Sequence, residues 1–167
     1  MIIGSISENL EYEKRVAITP EILKKYKSLG IEICLCKDYA THIGINDDDF
    51  ISEGASILDS KEEVLKKSNL ITQLNLPNEK YLNKLKSDQI LIGVLDPYRN
   101  KSKLKEMKEK KIDCFSLELL PRITRAQSMD ILSSQANLAG YKAVIDSFAF
   151  FQKAIPMMMT AAGTIPA

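Results

Sequence analysis

The stretch PRITRAQSMDILSSQANLAGY, residues 121–141, sets two arginines, two glutamines, an aspartate and four hydroxyl side chains around the start of the run ANLAG. Gln127, Asp130, Ser133 and Ser134 recur at spacings of three and four, which gathers them on one band of a helix that begins near residue 127. Asp130, close to that start, complements the helix dipole, and Thr124 is a candidate N-cap. Arg122 and Arg125 are not explained in this way, because the amino end of a helix disfavours cations. Each calls for a carboxylate or a phosphate. Arg122 can pair with Asp130. Gln127 and a serine hydroxyl are then left for a planar polar ligand that offers both a donor and an acceptor, as a carboxamide does. Close packing accounts for the rest: Ala136, Ala139, Gly140 and Ala143 strip one side of the helix of bulk, at about 1 kcal/mol for a glycine in a helix interior.

Other chemistry is sparse. The three cysteines are Cys34, Cys36 and Cys114, and the single histidine is His42. Cys34 and Cys36 are two apart on an expected strand and share a face, so they read as buried or half-buried thiols of a reducing cytoplasm. A zinc site needs more ligands at suitable spacing, and no metal site is expected. The formal net charge is +1, from 23 basic and 22 acidic residues. That balance argues against nucleic-acid or membrane-surface binding through bulk charge. The amino terminus, MIIGSISENLEYEKR, lacks the positive region of a signal peptide, and the apolar run IPMMMTAAG is far shorter than the roughly 20 residues of a membrane span.

Regular elements must position these groups. IIGSI at residues 2–6, IEICLC at 31–36, NLITQL at 69–74, QILIGVL at 89–95 and IDCFSLE at 112–118 have the composition and length of strands. Between them lie helix starts. Thr19-Pro20-Glu21 opens one, with Ile22, Leu23, Tyr26 and Leu29 as its apolar stripe and Gly30 as its stop. The run Asp47–Asp49 opens a second, and Ser60 with Glu63 stands at capping-box spacing for a third. NEKYLNKL is a short helix, and NKSKLKEMKEKK a charged one with Leu104 and Met107 facing inward. Strands alternating with helices predict right-handed crossovers on a mostly parallel sheet, an α/β layered fold. From about residue 127 to 153 the period turns helical for longer than in any earlier element. The final KAIPMMMTAAGTIPA is apolar enough to require a packing partner, by folding back or from another chain.

The segment PRITRAQSMDILSSQANLAGYKAVID resembles the signature of the NAD(H)-binding domain in the alpha subunit of proton-translocating nicotinamide nucleotide transhydrogenases. EKRVAITPE, with its leading strand IIGSI, is similar to the start shared by that subunit and the alanine dehydrogenases. IPMMMTAAGTIP is similar to the segment that follows the long helix in the family. The resemblance covers essentially the whole chain. It implies a three-layer α/β subdomain over residues 1–120, flavodoxin-like or Rossmann-like, with a mostly parallel sheet and flanking helices. Residues 121–167 would supply a nicotinamide-contacting loop, a long linking helix and the start of a Rossmann domain. The implied activity is hydride transfer between NADH and NADP+, Re/Si-specific and coupled to proton translocation. NAD(H) would be the bound nucleotide, with NADP(H) held by a partner domain. The implied partners are the membrane and NADP-binding subunits and a second copy of the chain. The implied location is cytoplasmic, peripheral to the inner membrane. In the family an Arg-Gln-Asp loop and a nearby serine contact the nicotinamide; the matching positions are Arg122, Gln127, Asp130 and Ser133, with Ser133 preferred over Ser134. Arg125 takes a structural or phosphate-side role, and no general acid or base is implied.

Alanine dehydrogenases are the alternative, since they share the fold and the arginine at Arg15. The resemblance places Asn75 where they carry a substrate-binding lysine and Asp96 where they carry a histidine. A reaction between an amino acid and an oxo acid needs a cation and an acid/base group, and those positions supply neither. A non-catalytic interaction module, using the bare side around Ala139 and Gly140, is the other alternative. The family's G-x-G-x-x-G turn is not present in these 167 residues, whose seven glycines are all isolated. The chain is therefore expected to be a fragment or one piece of a split subunit, inactive alone and a poor binder of NAD(H).

Overall fold

The computed structural model describes residues 1–166, and they divide between Leu120 and Pro121 into two compact units. The first unit holds one six-stranded sheet. Its strands are β1 (Ile2–Ser5), β2 (Glu32–Cys36), β3 (Ser56–Leu58), β4 (Leu70–Asn75), β5 (Ile90–Val94) and β6 (Asp113–Ser116). They lie in the order β3-β2-β1-β4-β5-β6, with every neighbouring pair parallel. Helices α1 (Pro20–Ser28), α2 (Asp47–Ser52), α3 (Lys61–Lys67), α4 (Glu79–Leu82) and α5 (Lys101–Glu109) make the crossovers. The order runs outward from β1 in one direction and from β4 in the other. Right-handed crossovers therefore set α1 and α2 on one face and α3, α4 and α5 on the opposite one. Contacts of α1 with α2, of α3 with α4, and of α3 with β1 and β2 agree with that layering.

Helices on both faces explain β2. Its sequence suggests alternation, yet Ile33, Cys34, Leu35 and Cys36 are all buried, as a central parallel strand covered on both sides requires. Both thiols are free: Cys34 Sγ lies 3.3 Å from Ser68 Oγ, and Cys36 Sγ accepts from the Ser7 amide at 3.3 Å. Helix α1 starts at Pro20 and ends in a Schellman turn. Gly30, at φ +67°, donates to the Lys27 carbonyl, and Ile31 donates to that of Tyr26. Its apolar stripe is narrower than the spacing predicts. Leu23 is buried and Tyr26 half-buried, but Leu29 is the C-cap and exposed, and Ile22 stands at the rim. The short β3 has no counterpart in the sequence reading, because three residues after a glycine turn are too few to show a period.

A buried polar chain fastens the loop after β1. Ser5 Oγ donates to Gln73 Oε1 at 2.9 Å, which leaves the Tyr39 hydroxyl to donate to Ser5 Oγ at 2.9 Å. The Tyr39 oxygen accepts the amides of Ala17 and Ile18 at 3.1 and 3.2 Å. Burial pushes the Tyr39 phenol up to about 12. Gln73 closes the circuit: its Oε1 takes the Ile6 amide, and its Nε2 donates to the Ile6 carbonyl and to Glu8 Oε1.

The second unit contains a 3-10 stretch over Thr124–Met129, the helix α6 (Ile131–Phe150), and an antiparallel hairpin of β7 (Met158–Thr160) and β8 (Gly163–Ile165). Helix α6 begins later than the spacing of Gln127 to Ser134 suggests, with Asp130 rather than Thr124 as its N-cap. Aspartate is the stronger cap, and here its carboxylate takes the Ser133 amide at 3.0 Å. Among the described residues no helix is long and apolar enough to cross a membrane.

Candidate functional site

Four residues for which the family resemblance implies a nicotinamide contact line one surface depression of about 440 Å3, together with Ala126. They are Arg122, Gln127, Asp130 and Ser133, and they arrive there from different local structures. Arg122 precedes the 3-10 turn, Gln127 lies within it, Asp130 is the hinge between that turn and α6, and Ser133 is in the first turn of α6. The band that helical spacing alone suggests is therefore built by a 3-10 turn feeding an α-helix. Three residues per turn carry Gln127 over to Asp130, and the N-cap then carries Asp130 over to Ser133.

Asp130 and Ser133 are joined twice. The Ser133 amide donates to Oδ1 at 3.0 Å and its hydroxyl to Oδ2 at 2.6 Å. These two bonds, the hydroxyl's first, hold the Asp130 carboxyl below its ordinary value, with a smaller contribution from the charge of Arg122. Arg122 and Asp130 do not form the ion pair that their types allow. No carboxylate among the described residues stands within 4.0 Å of either Arg122 or Arg125. Arg125 does not line the depression. Ser134 is separated from Ser133 by its hydroxyl, which donates back to the Ile131 carbonyl at 3.1 Å.

The depression thus offers a guanidinium, a primary amide that both donates and accepts, and an ionised carboxylate with spare lone pairs. Asp130, with its carboxyl lowered, is too weak a base to activate the Ser133 hydroxyl. It carries no proton near neutral pH, so it does not serve as an acid there either. Such a set can bind and orient a polar planar group; it is not equipped to exchange protons with one.

A model of the alanine dehydrogenase/PNT N-terminal domain matches residues 4–139, which take in nearly the whole sheet and this depression. The chain belongs to that family. The first part of the NAD(P) transhydrogenase subunit alpha of Rhodospirillum rubrum is 40% identical over 159 residues, covering 92% of this chain and 41% of that one. Its counterpart of the same description in Rickettsia prowazekii is 38% identical over 171 residues, covering all of this chain and 45% of its own length. A transhydrogenase structure from Sinorhizobium meliloti superposes with a TM-score of 0.90 at 40% identity, over the whole of this chain and 50% of that one. The chain spans half or less of each of these relatives.

Within the alanine dehydrogenase/PNT N-terminal domain fold, the loop after β1 carries a contact that its sequence does not announce. Glu13 forks Arg15: Nε donates to Oε1 at 2.8 Å, Nη2 donates to Oε2 at 2.6 Å, and the Arg15 amide also reaches Oε1 at 3.0 Å. The guanidinium bonds first, then the Arg15 amide and the guanidinium charge, draw the Glu13 carboxyl down to about 2 against the effect of burial. Asn75 lies beside this pair, its amide 3.4 Å from Glu13 Oε2. Asp96, two residues past the end of β5, adopts the left-handed region at φ +44°, its amide bonded to Glu118 Oε1 at 2.6 Å. The acidic residues flanking Arg15 in ENLEYEKR are the one signal from which such a fork could have been found.

Proposed function

We propose that this chain is the N-terminal part of the NAD(H)-binding component of a proton-translocating NAD(P)+ transhydrogenase. Arg122, Gln127, Asp130 and Ser133 contact the nicotinamide end of NAD(H). The nucleotide supplies the hydride; the chain's residues hold and orient the ring and its carboxamide. Gln127 meets the carboxamide with one donor and one acceptor. Asp130, fixed by Ser133, accepts from the carboxamide nitrogen. Arg122 either braces this carboxylate through its charge or reaches the nucleotide itself. Transfer is to NADP+ held by a partner domain, is Re/Si-specific, and is coupled to proton movement across the membrane by partner subunits. Through those subunits the chain lies on the cytoplasmic side, peripheral to the inner membrane. Two copies associate, and the chain alone is inactive.

The observation that carries this reading is the convergence of the four side chains on one depression, in a chain 40% identical to a transhydrogenase subunit over nearly its whole length. The alanine dehydrogenase alternative fits less well. The one arginine it would use for a substrate carboxylate is already forked by Glu13, and Asn75 and Asp96 provide neither the second cation nor the acid/base group. Calorimetric titration with NADH tests the proposal. The 167-residue chain is expected to bind weakly, and the same chain joined to a downstream nucleotide-binding domain at least about tenfold more tightly. In the joined form Gln127→Ala lowers affinity. Equal affinity of the two forms, or an unaltered Gln127→Ala, contradicts it.

A further inference from the structure

The near-zero net charge hides a polarity that only the fold brings out. Residues 32–59 carry seven acidic side chains and one basic one, whereas residues 79–111 carry ten basic and five acidic. The first stretch spans β2, α2 and the edge strand β3; the second spans α4, β5 and α5, beside the other edge strand, β6. Helices α2 and α5 also lie on opposite faces of the sheet, so the acidic corner and the basic surface are set diagonally apart. We propose that the α4–α5 surface adsorbs this unit onto an anionic lipid bilayer, with the acidic corner turned away. None of these residues lines the Arg122 depression, whose role is independent of this one.

The lysines of α5 are available to such a surface. Met107 is buried and Leu104 half-buried, which fixes the inward side of the helix. Lys101, Lys105 and Lys108 recur at spacings of four and three on the outward side, and all three are exposed. Of the ten basic groups, Lys80 pairs with Glu62 at 3.2 Å and Arg99 with Asp96 at 3.6 Å. Lys86 donates to the Lys66 carbonyl, and Lys110 to Asn83 Oδ1. Lys84, Lys101, Lys103, Lys105, Lys108 and Lys111 have no carboxylate within 4.0 Å among the described residues. Lys101 and Lys105 stand one turn apart as like charges, a repulsion that an adjoining anionic surface offsets.

The chemistry of this surface selects a bilayer over other anionic partners. Nine of its ten cations are lysines, which are compact point charges, whereas nucleic-acid recognition draws on the planar fork of arginine and on stacked aromatics. Protein interfaces enrich aromatics and arginine and deplete lysine. Here Tyr98 is the one large apolar side chain exposed among the described residues 79–111. A small anion needs donors that converge, but Lys101 and Lys108 stand about 10 Å apart along the helix axis. A field of lipid phosphates needs no convergence. It draws each ammonium group separately, and the flexible lysine stems let every one reach it. The same field repels the acidic corner and so sets the orientation.

Flotation of the 167-residue chain with vesicles tests this, using phosphatidylcholine alone or with about 30% phosphatidylglycerol. At about 0.02 M salt the chain is expected to bind the anionic vesicles at least about tenfold more tightly than the neutral ones, and about 0.2 M salt should remove most of that binding. Lys101→Glu with Lys105→Glu should abolish it; glutamate at position 101 suits the amino end of α5, so the helix is retained. The control is Lys25→Glu with Lys37→Glu, exposed positions outside this surface that change the net charge equally. It should lose no more than about threefold. Equal affinity for the two kinds of vesicle, or equal loss in the two variants, overturns the proposal. Tighter binding to a DNA duplex of about 20 base pairs than to the anionic vesicles also overturns it, and assigns the surface to nucleic acid. So does low-salt self-association without vesicle binding, which assigns the surface to the acidic corner of another copy.

Discussion

Asp130 uses its two oxygens for one neighbour, closing α6 through the Ser133 amide and fixing the Ser133 hydroxyl. Replacing it separates the cap from any role toward a ligand. Asp130→Ala should lose about 1 kcal/mol of stability in urea unfolding, whereas Asp130→Asn, an equally good cap, should lose far less. Under the proposed function both variants, once the chain is joined to a nucleotide-binding domain, should weaken nicotinamide orientation, because neither Ala nor Asn carries the charge. Glu13 gives a second prediction at this scale. Its folded carboxyl is drawn from 4.5 to about 2, so its contribution is present above 4.5 and is lost as pH falls toward 2. The stability difference between the parent and Glu13→Gln, measured by urea unfolding from pH 6 to 2, should be constant down to about 4.5 and shrink to nothing near 2. A difference unchanged at pH 2 would show that the Arg15 fork does not form in solution. Residue types and spacing grouped Gln127, Asp130, Ser133 and Ser134, because polar groups three apart read alike on a 3-10 turn and an α-helix; the preference for Ser133 over Ser134 came from the family resemblance alone. They could not reveal that Arg122 stays unpaired with Asp130, which depends on where the chain turns.

Among the elements, parallel strands and their helices were legible wherever four or more apolar residues met a capping signal. The short β3, the 3-10 turn before α6 and the hairpin of β7 and β8 were not. Each is set by turn geometry over a few residues rather than by a period. The polar chain through Ser5, Tyr39 and Gln73 was equally invisible, since its members lie up to 68 positions apart. It can be tested directly. Tyr39→Phe keeps the edge-on contact with Phe50 but strands the amides of Ala17 and Ile18, and should cost about 1–3 kcal/mol in urea unfolding. At the β4–β5 seam, a Cβ on Gly93 would stand inside the Gln73 carbonyl oxygen, which is backbone and cannot swing away. Gly93→Ala should therefore destabilise by about 1–3 kcal/mol and broaden the amide resonances of both strands.

For the molecule as a whole, α6 presents Leu138, Tyr141, Val144, Ile145 and Phe148 at spacings that align them on one side, and all five are exposed. The small residues Ala136, Ala139, Gly140 and Ala143 occupy the opposite side. The proposed pairing of two copies uses the bulky stripe, so the chain should sediment as a dimer at micromolar concentration. Val144→Glu with Phe148→Glu should return it to a monomer; a parent chain that is already monomeric would remove the case for pairing. The nicotinamide contact is the heart of the proposed function, and the rate of hydride transfer from NADH to an NADP+ analogue tests it most directly. The chain is joined to its downstream nucleotide-binding domain and supplied with the NADP-binding partner, and the parent is compared with Gln127→Ala and Arg122→Ala, neither of which touches a cap. The rate should fall about tenfold or more for Gln127→Ala and clearly for Arg122→Ala, with unfolding midpoints unchanged. Parental rates in both variants would contradict the nicotinamide contact.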